Sequence, residues 1–97
     1  MMTHYAIVTL VVKNAEKLAE YQAVGGPAVA KHGGKALAGG PKTQALQQPH
    51  GPTKGVVLEF PTAEHITAWL DDEELAQVHA LRNAAADVTI LSLPAFG

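Results

Sequence analysis

The chain has 97 residues, of which 47% are apolar and 16% charged; seven Lys and Arg stand against nine Asp and Glu, for a net charge of −2. That is enough for one domain with a thin core, since two domains would have only about 50 residues each. Cysteine is absent, which excludes disulfide frameworks, thiolate nucleophiles and Cys-ligated zinc or iron–sulfur clusters. No basic stripe suits nucleic acid or an anionic membrane. No apolar run approaches the ~20 residues of a membrane span. Residues 1–12 lack a basic stretch and a cleavage site, so the expectation is a cytoplasmic protein without a signal peptide.

Residues 4–12 (HYAIVTLVV) predict a strand without Gly or Pro. Its two faces, Ala6, Val8, Leu10, Val12 and Tyr5, Ile7, Thr9, Val11, are both mostly apolar, as in a strand covered on both sides. Asn14 is a fitting N-cap for a helix carrying Leu18, Tyr21 and Val24. Gly25-Gly26-Pro27 is expected to interrupt that helix, with Pro27 starting a second short helical stretch over Ala28–His32. Gly33-Gly34 provides the exit a helix C-terminus favours. Residues 35–47 suggest a short strand, a bend or bulge at Gly39-Gly40-Pro41 and another short strand. Residues 48–54 are a Pro- and Gly-rich loop, and 55–60 (GVVLEF) a strand ending at Pro61. Thr62 can cap a helix carrying Ile66, Trp69 and Leu70. Asp72 can cap another, with Glu73 and Glu74 at its positive end and Leu75, Val78, Leu81 and Arg82 as its inner face. Residues 87–93 are a last strand closed by Pro94.

The order β-α-β-β-α-β, with the second helix split in two, predicts an α+β, ferredoxin-like protomer: a four-stranded antiparallel sheet with helices on one face. The strands nevertheless carry apolar residues on both faces, including Val57 opposite Val56, Leu58 and Phe60, and Leu91 and Leu93 opposite Val88 and Ile90. A sheet apolar on both sides needs a second cover, and a second copy of the same sheet in a two-fold homodimer provides it.

Several strings carry a family resemblance: His32-Gly33-Gly34, Gly39-Gly40, Val57-Leu58-Glu59-Phe60-Pro61, Trp69-Leu70-Asp71 and Leu81-Arg82. In this order the chain resembles, over nearly its whole length, a bacterial family of small uncharacterised proteins in the dimeric α/β-barrel superfamily. The resemblance implies a ferredoxin-like protomer and a homodimer whose sheets face each other. The wider superfamily includes cofactor-free monooxygenases of antibiotic biosynthesis, muconolactone isomerases, EthD-like proteins and chlorite dismutases, which place a small-molecule cavity between sheet and helices. The close family has no established reaction, so no catalytic residue is carried over. Segment 48–54 is locally particular, which leaves any pocket contact there open.

The residues themselves suggest candidates. Glu59 sits in an apolar strand, where a carboxylate is either a general base or ligand anchor, or is paired structurally with Arg82 or a Lys. His32 closes the first helical region, as an acid/base aimed into a cavity or as a C-terminal cap favoured by the helix dipole. Arg82 and His79 share a helix face and could grip a carboxylate, unless Arg82 only holds the fold. Trp69 and Tyr21 could line an apolar pocket or serve as core. His4, His50 and His65 read as surface groups. No His pair has metal-ligand spacing, and Asp71–Glu74 is explained by capping, so no metal and no cofactor is expected. No G-x-G-x-x-G follows a strand, and P-loop and G-x-S-x-G patterns are absent.

Two functions follow. One is a homodimeric small-molecule-binding protein, of the cofactor-free oxygenase, isomerase or lyase sort, acting on a small organic acid or ring compound. His32 or Glu59 would move the proton and Arg82 would hold the anionic group. The other is a non-catalytic module whose polar residues only stabilise the fold. Catalysis requires an open cavity into which at least two of these side chains converge.

Overall fold

The computed structural model describes residues 3–47 and 51–96. Its elements run β1 (His4–Val12), α1 (Ala15–Lys31), β2 (Lys35–Gly39), β3 (Lys54–Phe60), α2 (Ala63–Asp71), a 3₁₀ turn (Glu73–Leu75), α3 (Ala76–Ala85) and β4 (Ala86–Pro94). The strands form one antiparallel sheet in the order β2-β3-β1-β4. This is the ferredoxin-like α+β arrangement expected from the sequence.

The strand parity read from the sequence decides the layers. Ala6, Val8 and Leu10 of β1 and Leu58 and Phe60 of β3 are buried under the helices. Leu18, Ala28 and Val29 of α1, Ile66 and Trp69 of α2, Leu75 of the 3₁₀ turn, Ala85 of α3 and Ala86 of β4 complete that core. Tyr5, Ile7, Thr9, Val57 and Glu59 alternate with the buried set and lie on the opposite, half-exposed face. Ile7 is flanked there by Val57 on β3 and Leu91 on β4. Leu91 and Leu93 keep 51% and 43% of their surface exposed, so no element among the described residues covers this side.

The capping residues act as expected. Asn14 Oδ1 accepts from the Lys17 N–H at 3.0 Å, Thr62 Oγ1 from the His65 N–H at 3.3 Å, and Asp72 Oδ1 from the Glu74 N–H at 2.9 Å. At the C-terminus of α1, Gly33 takes φ +77° while the Gly33 and Gly34 amides donate to Ala30 O and Val29 O, each at 3.0 Å. That is a Schellman closure, in which glycine adopts the left-handed conformation without a Cβ clash.

Three expectations are corrected. Gly25-Gly26-Pro27 does not interrupt α1, which is continuous from Ala15 to Lys31 with Pro27 inside it. Proline normally forces its predecessor out of the helical region by a clash with that residue's Cβ; Gly26 has none. Leu18, Ala28 and Val29, buried on both sides of Pro27, hold the two halves as one helix.

Residues 35–47 contain one strand rather than two. Gly39 and Gly40, at φ +148° and +118°, turn the chain off the sheet, and Thr43 closes a turn onto the Gly40 carbonyl. The irregularity in β2 lies between Ala36 and Ala38, ahead of the glycines. Finally, of the expected inner face of α3, Arg82 is buried, Val78 packs against the core and Leu75 is buried in the 3₁₀ turn ahead of the helix, while Leu81 is only half-buried and His79 and Ala85 take the remaining buried positions.

Candidate functional site

A cavity of about 210 Å³ opens between the covered face of the sheet and the helices, and its surface is almost wholly apolar. Val8 and Leu10 of β1 and Val56 and Leu58 of β3 form its floor. Tyr21, Gly25, Gly26 and Val29 of α1 form its roof, Ala36 of β2 its outer edge, and Trp69 and Arg82 its inner end. The space exists because α1 presents two consecutive glycines there. A Cβ at Gly25 would come within 2.9 Å of the Tyr21 ring, so the tyrosine, one turn earlier, lies across the bare backbone. A Cβ at Gly26 would meet nothing outside its chain neighbours within 4 Å.

Arg82 is the one charged side chain at the inner end, and only 5% of its surface is exposed. Its Nε–H donates to Asn83 Oδ1 at 3.2 Å and its Nη1–H to His79 Nδ1 at 3.1 Å. Its Cζ lies 5.8 Å from the centre of the Trp69 ring, within range of a cation–π contact. Among the described residues no carboxylate pairs with it. Nη2, two of the five guanidinium donors, takes no protein acceptor among them. His79, 8% exposed, does not line the cavity but stands behind the arginine. Its Nε2–H donates to the Trp69 carbonyl at 2.8 Å, which leaves Nδ1 as the acceptor Arg82 uses. Trp69 is a core residue, 1% exposed, packed against Phe60 at 5.5 Å and edge-on to His79 at 5.6 Å.

The other sequence candidates lie elsewhere. His32 is at the end of α1, where its Nε2–H donates to Asp72 Oδ2 at 2.8 Å. Lys31 Nζ reaches the same carboxylate at 2.7 Å and Glu74 at 2.6 Å. These bonds, Lys31 first and His32 second, hold the Asp72 carboxyl well below the usual carboxylate range. They also raise Lys31 above its ordinary 10.5, through Asp72 and then Glu74. Glu59 projects from the opposite face of the sheet and pairs with Lys35 at 3.4 Å, across the β2–β3 ladder. His32, Glu59 and Arg82 therefore do not converge. The proposed alternative partner of Glu59, a lysine, is the one it has.

His4 and His65 are half-buried rather than surface groups. His65 Nδ1 lies 2.7 Å from the Thr62 hydroxyl and joins the cap of α2, while His4 Nδ1 is buried without a partner among the described residues. His50 lies outside the described residues. Sequence reading missed the role of Gly25-Gly26 as the opening of the cavity. The signal was present, since Tyr21 and Gly25 are one helical turn apart. It also read Asp72 as a cap alone.

No helix of the described residues is long and apolar enough to cross a membrane, and no group of three or more His, Cys, Asp or Glu among them could hold a metal ion.

Solved structures share this fold at low identity. A protein of unknown function from Rhodopseudomonas palustris superposes with a TM-score of 0.81 at 18% identity, over 99% of this chain and 84% of that one. A dimeric ferredoxin-like protein of unknown function from Jannaschia sp. CCS1 gives 0.75 at 14% identity, over 94% and 97%. A candidate antibiotic biosynthesis monooxygenase from Nitrosomonas europaea gives 0.60 at 14% identity, over 98% and 89%. No curated protein matches the sequence. A family model does match, over residues 3–96, and the chain belongs to DUF1330, a domain of unknown function.

Proposed function

We propose that this protein is a homodimer that binds a small anionic compound with an apolar body, and that Arg82 is the anchor for the anion. One observation carries the reading: an arginine 5% exposed, at the end of an apolar cavity, with no carboxylate partner among the described residues. Moving a charge into such a place is costly unless a counter-charge and hydrogen bonds accompany it. His79 and Asn83 satisfy two of the donors but bring no negative charge. A ligand carboxylate on Nη2 would bring it, in the geometry guanidinium favours. Engineered apolar cavities of ~150 Å³ hold benzene, so this one is of the size for a small ring or short-chain acid.

Binding is favoured over acid–base catalysis by His32 or Glu59, because neither lines the cavity. Their pairs with Asp72 and Lys35 support a role in the fold. The dimer is supported by the uncovered row Val57–Ile7–Leu91 and by the dimeric relative from Jannaschia.

The test is a thermal-shift panel of small aromatic and aliphatic acids, each beside its neutral amide. A ligand at 100 times its Kd adds about 2.7 kcal/mol, a rise of roughly 10 °C or more at this size. The acid should shift the protein and the amide should not. Ala36→Phe, which fills the cavity from an exposed edge-strand position, should abolish the shift while keeping the fold. Equal shifts with acid and amide, or a shift that survives Ala36→Phe, would refute the reading.

A further inference from the structure

A second hollow of about 240 Å³ adjoins the first, and the two share Leu10, Gln22 and Val56 in their walls. Gly40 and Pro41, where the chain leaves β2, form its outer side, and Lys54 lines it. Strand parity puts Lys54 on the covered side of β3, in one row with Val56, Leu58 and Phe60. The row runs from the buried core through the cavity floor and ends in a cation. Lys54 is half-buried, and no carboxylate pairs with it among the described residues. Lys13, Lys31 and Lys35 each hold an acidic partner, and Lys17 and Lys42, which have none among the described residues, are exposed rather than set in a hollow.

We infer that Lys54 is a second anion subsite and that the ligand is an elongated compound with an acidic group at each end and an apolar middle. This rests on the proposed anchoring of a carboxylate by Arg82. Arg82 and Lys35 line the first hollow and Lys54 the second, with Leu10, Gln22 and Val56 common to both. Leu58, in the floor of the first hollow, and Lys54, in the wall of the second, are four residues apart on β3, about 13 Å along the strand, a span that a medium-chain diacid covers and a compact dianion does not. An apolar middle suits the walls contributed by Leu10, Val56 and Leu58.

Titration calorimetry with linear α,ω-dicarboxylates of six to ten carbons, each beside the monocarboxylate of equal length, tests this. At least one diacid should bind ten-fold or more tighter than its monoacid. Lys54→Met should reduce the diacid to the affinity of the monoacid and leave the monoacid unchanged. Lys17→Met, on the exposed side of α1, should change neither. Diacid and monoacid binding equally to the native protein, or a diacid advantage that survives Lys54→Met, would overturn the second subsite. Monoacid binding that Ala36→Phe abolishes, without a diacid preference, would overturn it while leaving the Arg82 reading in place. Absence of binding by every acid would remove both.

Discussion

His79 Nδ1 accepts a hydrogen bond from Arg82 Nη1 at 3.1 Å while the opposite edge of the same imidazole donates to the Trp69 carbonyl at 2.8 Å. The ring is thus a spacer between the last turn of α2 and the guanidinium. Its tautomer is fixed by what it touches on each side. His79→Leu should remove both bonds and leave Arg82 with one fewer acceptor. The expected loss is about 1.5–3 kcal/mol in urea unfolding, the range for hydrogen bonds to charged groups. Acid affinity should fall as well, because the guanidinium loses its orientation. His79→Gln can offer an oxygen to Arg82 and an N–H to the carbonyl, and should recover part of both. If His79→Gln matched His79→Leu in affinity, the histidine would be packing alone.

Gly26 and Pro27 are coupled through a clash that glycine avoids. Pro27→Ala should stabilise the protein, because a proline inside a helix removes one hydrogen bond and costs up to about 3 kcal/mol. Gly26→Ala in the native background should give less than the ~0.5–1 kcal/mol usual for this change in a helix, since its Cβ would face the proline ring. In the Pro27→Ala background the same change should give the full amount. The double-mutant cycle measures the difference, and strict additivity would contradict the explanation for the unbroken helix.

Asp72 ties the end of α1 to the start of the 3₁₀ turn, and its stabilisation has a defined pH range. Its carboxyl lies below its ordinary 3.8 in the folded state, so unfolding takes up a proton there. Its contribution is therefore complete above about pH 4 and is lost as pH falls toward the folded value. Lys31 is raised above 10.5, so its contribution is present below that value and is lost as pH rises through the higher folded one. The urea midpoint of the native protein should drop in acid below about pH 4. Asp72→Asn should have a lower midpoint near neutrality and a shallower acid decline. Parallel acid declines in the two proteins would show that other carboxyls govern the transition.

Ile7 is the centre of the uncovered face, between Val57 and Leu91. Leu91, half exposed in the protomer, is a position where a charge costs the single chain little. Leu91→Glu should halve the mass measured by light scattering at micromolar concentration and leave the far-ultraviolet circular dichroism unchanged. A native protein that already scatters as one chain would remove the dimer from the proposal.

The sheet, its order of elements and its caps were legible because their signals are local. Alternation in HYAIVTLVV, Asn14, Thr62 and Asp72 as caps, and Gly33 as helix exit each depend on a few neighbours in the sequence. Pro27 was misread because the residue that permits it, Gly26, is also a helix breaker on propensity alone. The site was harder to read because it depends on which face an element turns inward. Glu59 and Leu58 are adjacent, yet one faces Lys35 on the open side and the other lines the cavity. Arg82 carried the signal of a buried charge. Its lack of a carboxylate depends on the packing of three helices, which no spacing in the sequence encodes.

The irregularity between Ala36 and Ala38 has a consequence for how copies of the chain meet. β2 is an outer strand, and a flat outer strand is a template on which another chain can extend the sheet indefinitely. Here the slip in pairing leaves Leu37, 48% exposed, out of step with β3, and the backbone leaves the sheet plane at Gly39. A neighbouring strand would find an unpaired step after two residues. At the opposite border β4 ends in Pro94, which has no N–H to offer. Growth of the sheet through its borders is therefore discouraged, which leaves the broad apolar face as the surface for the proposed homodimer, a pairing that would be complete after one partner.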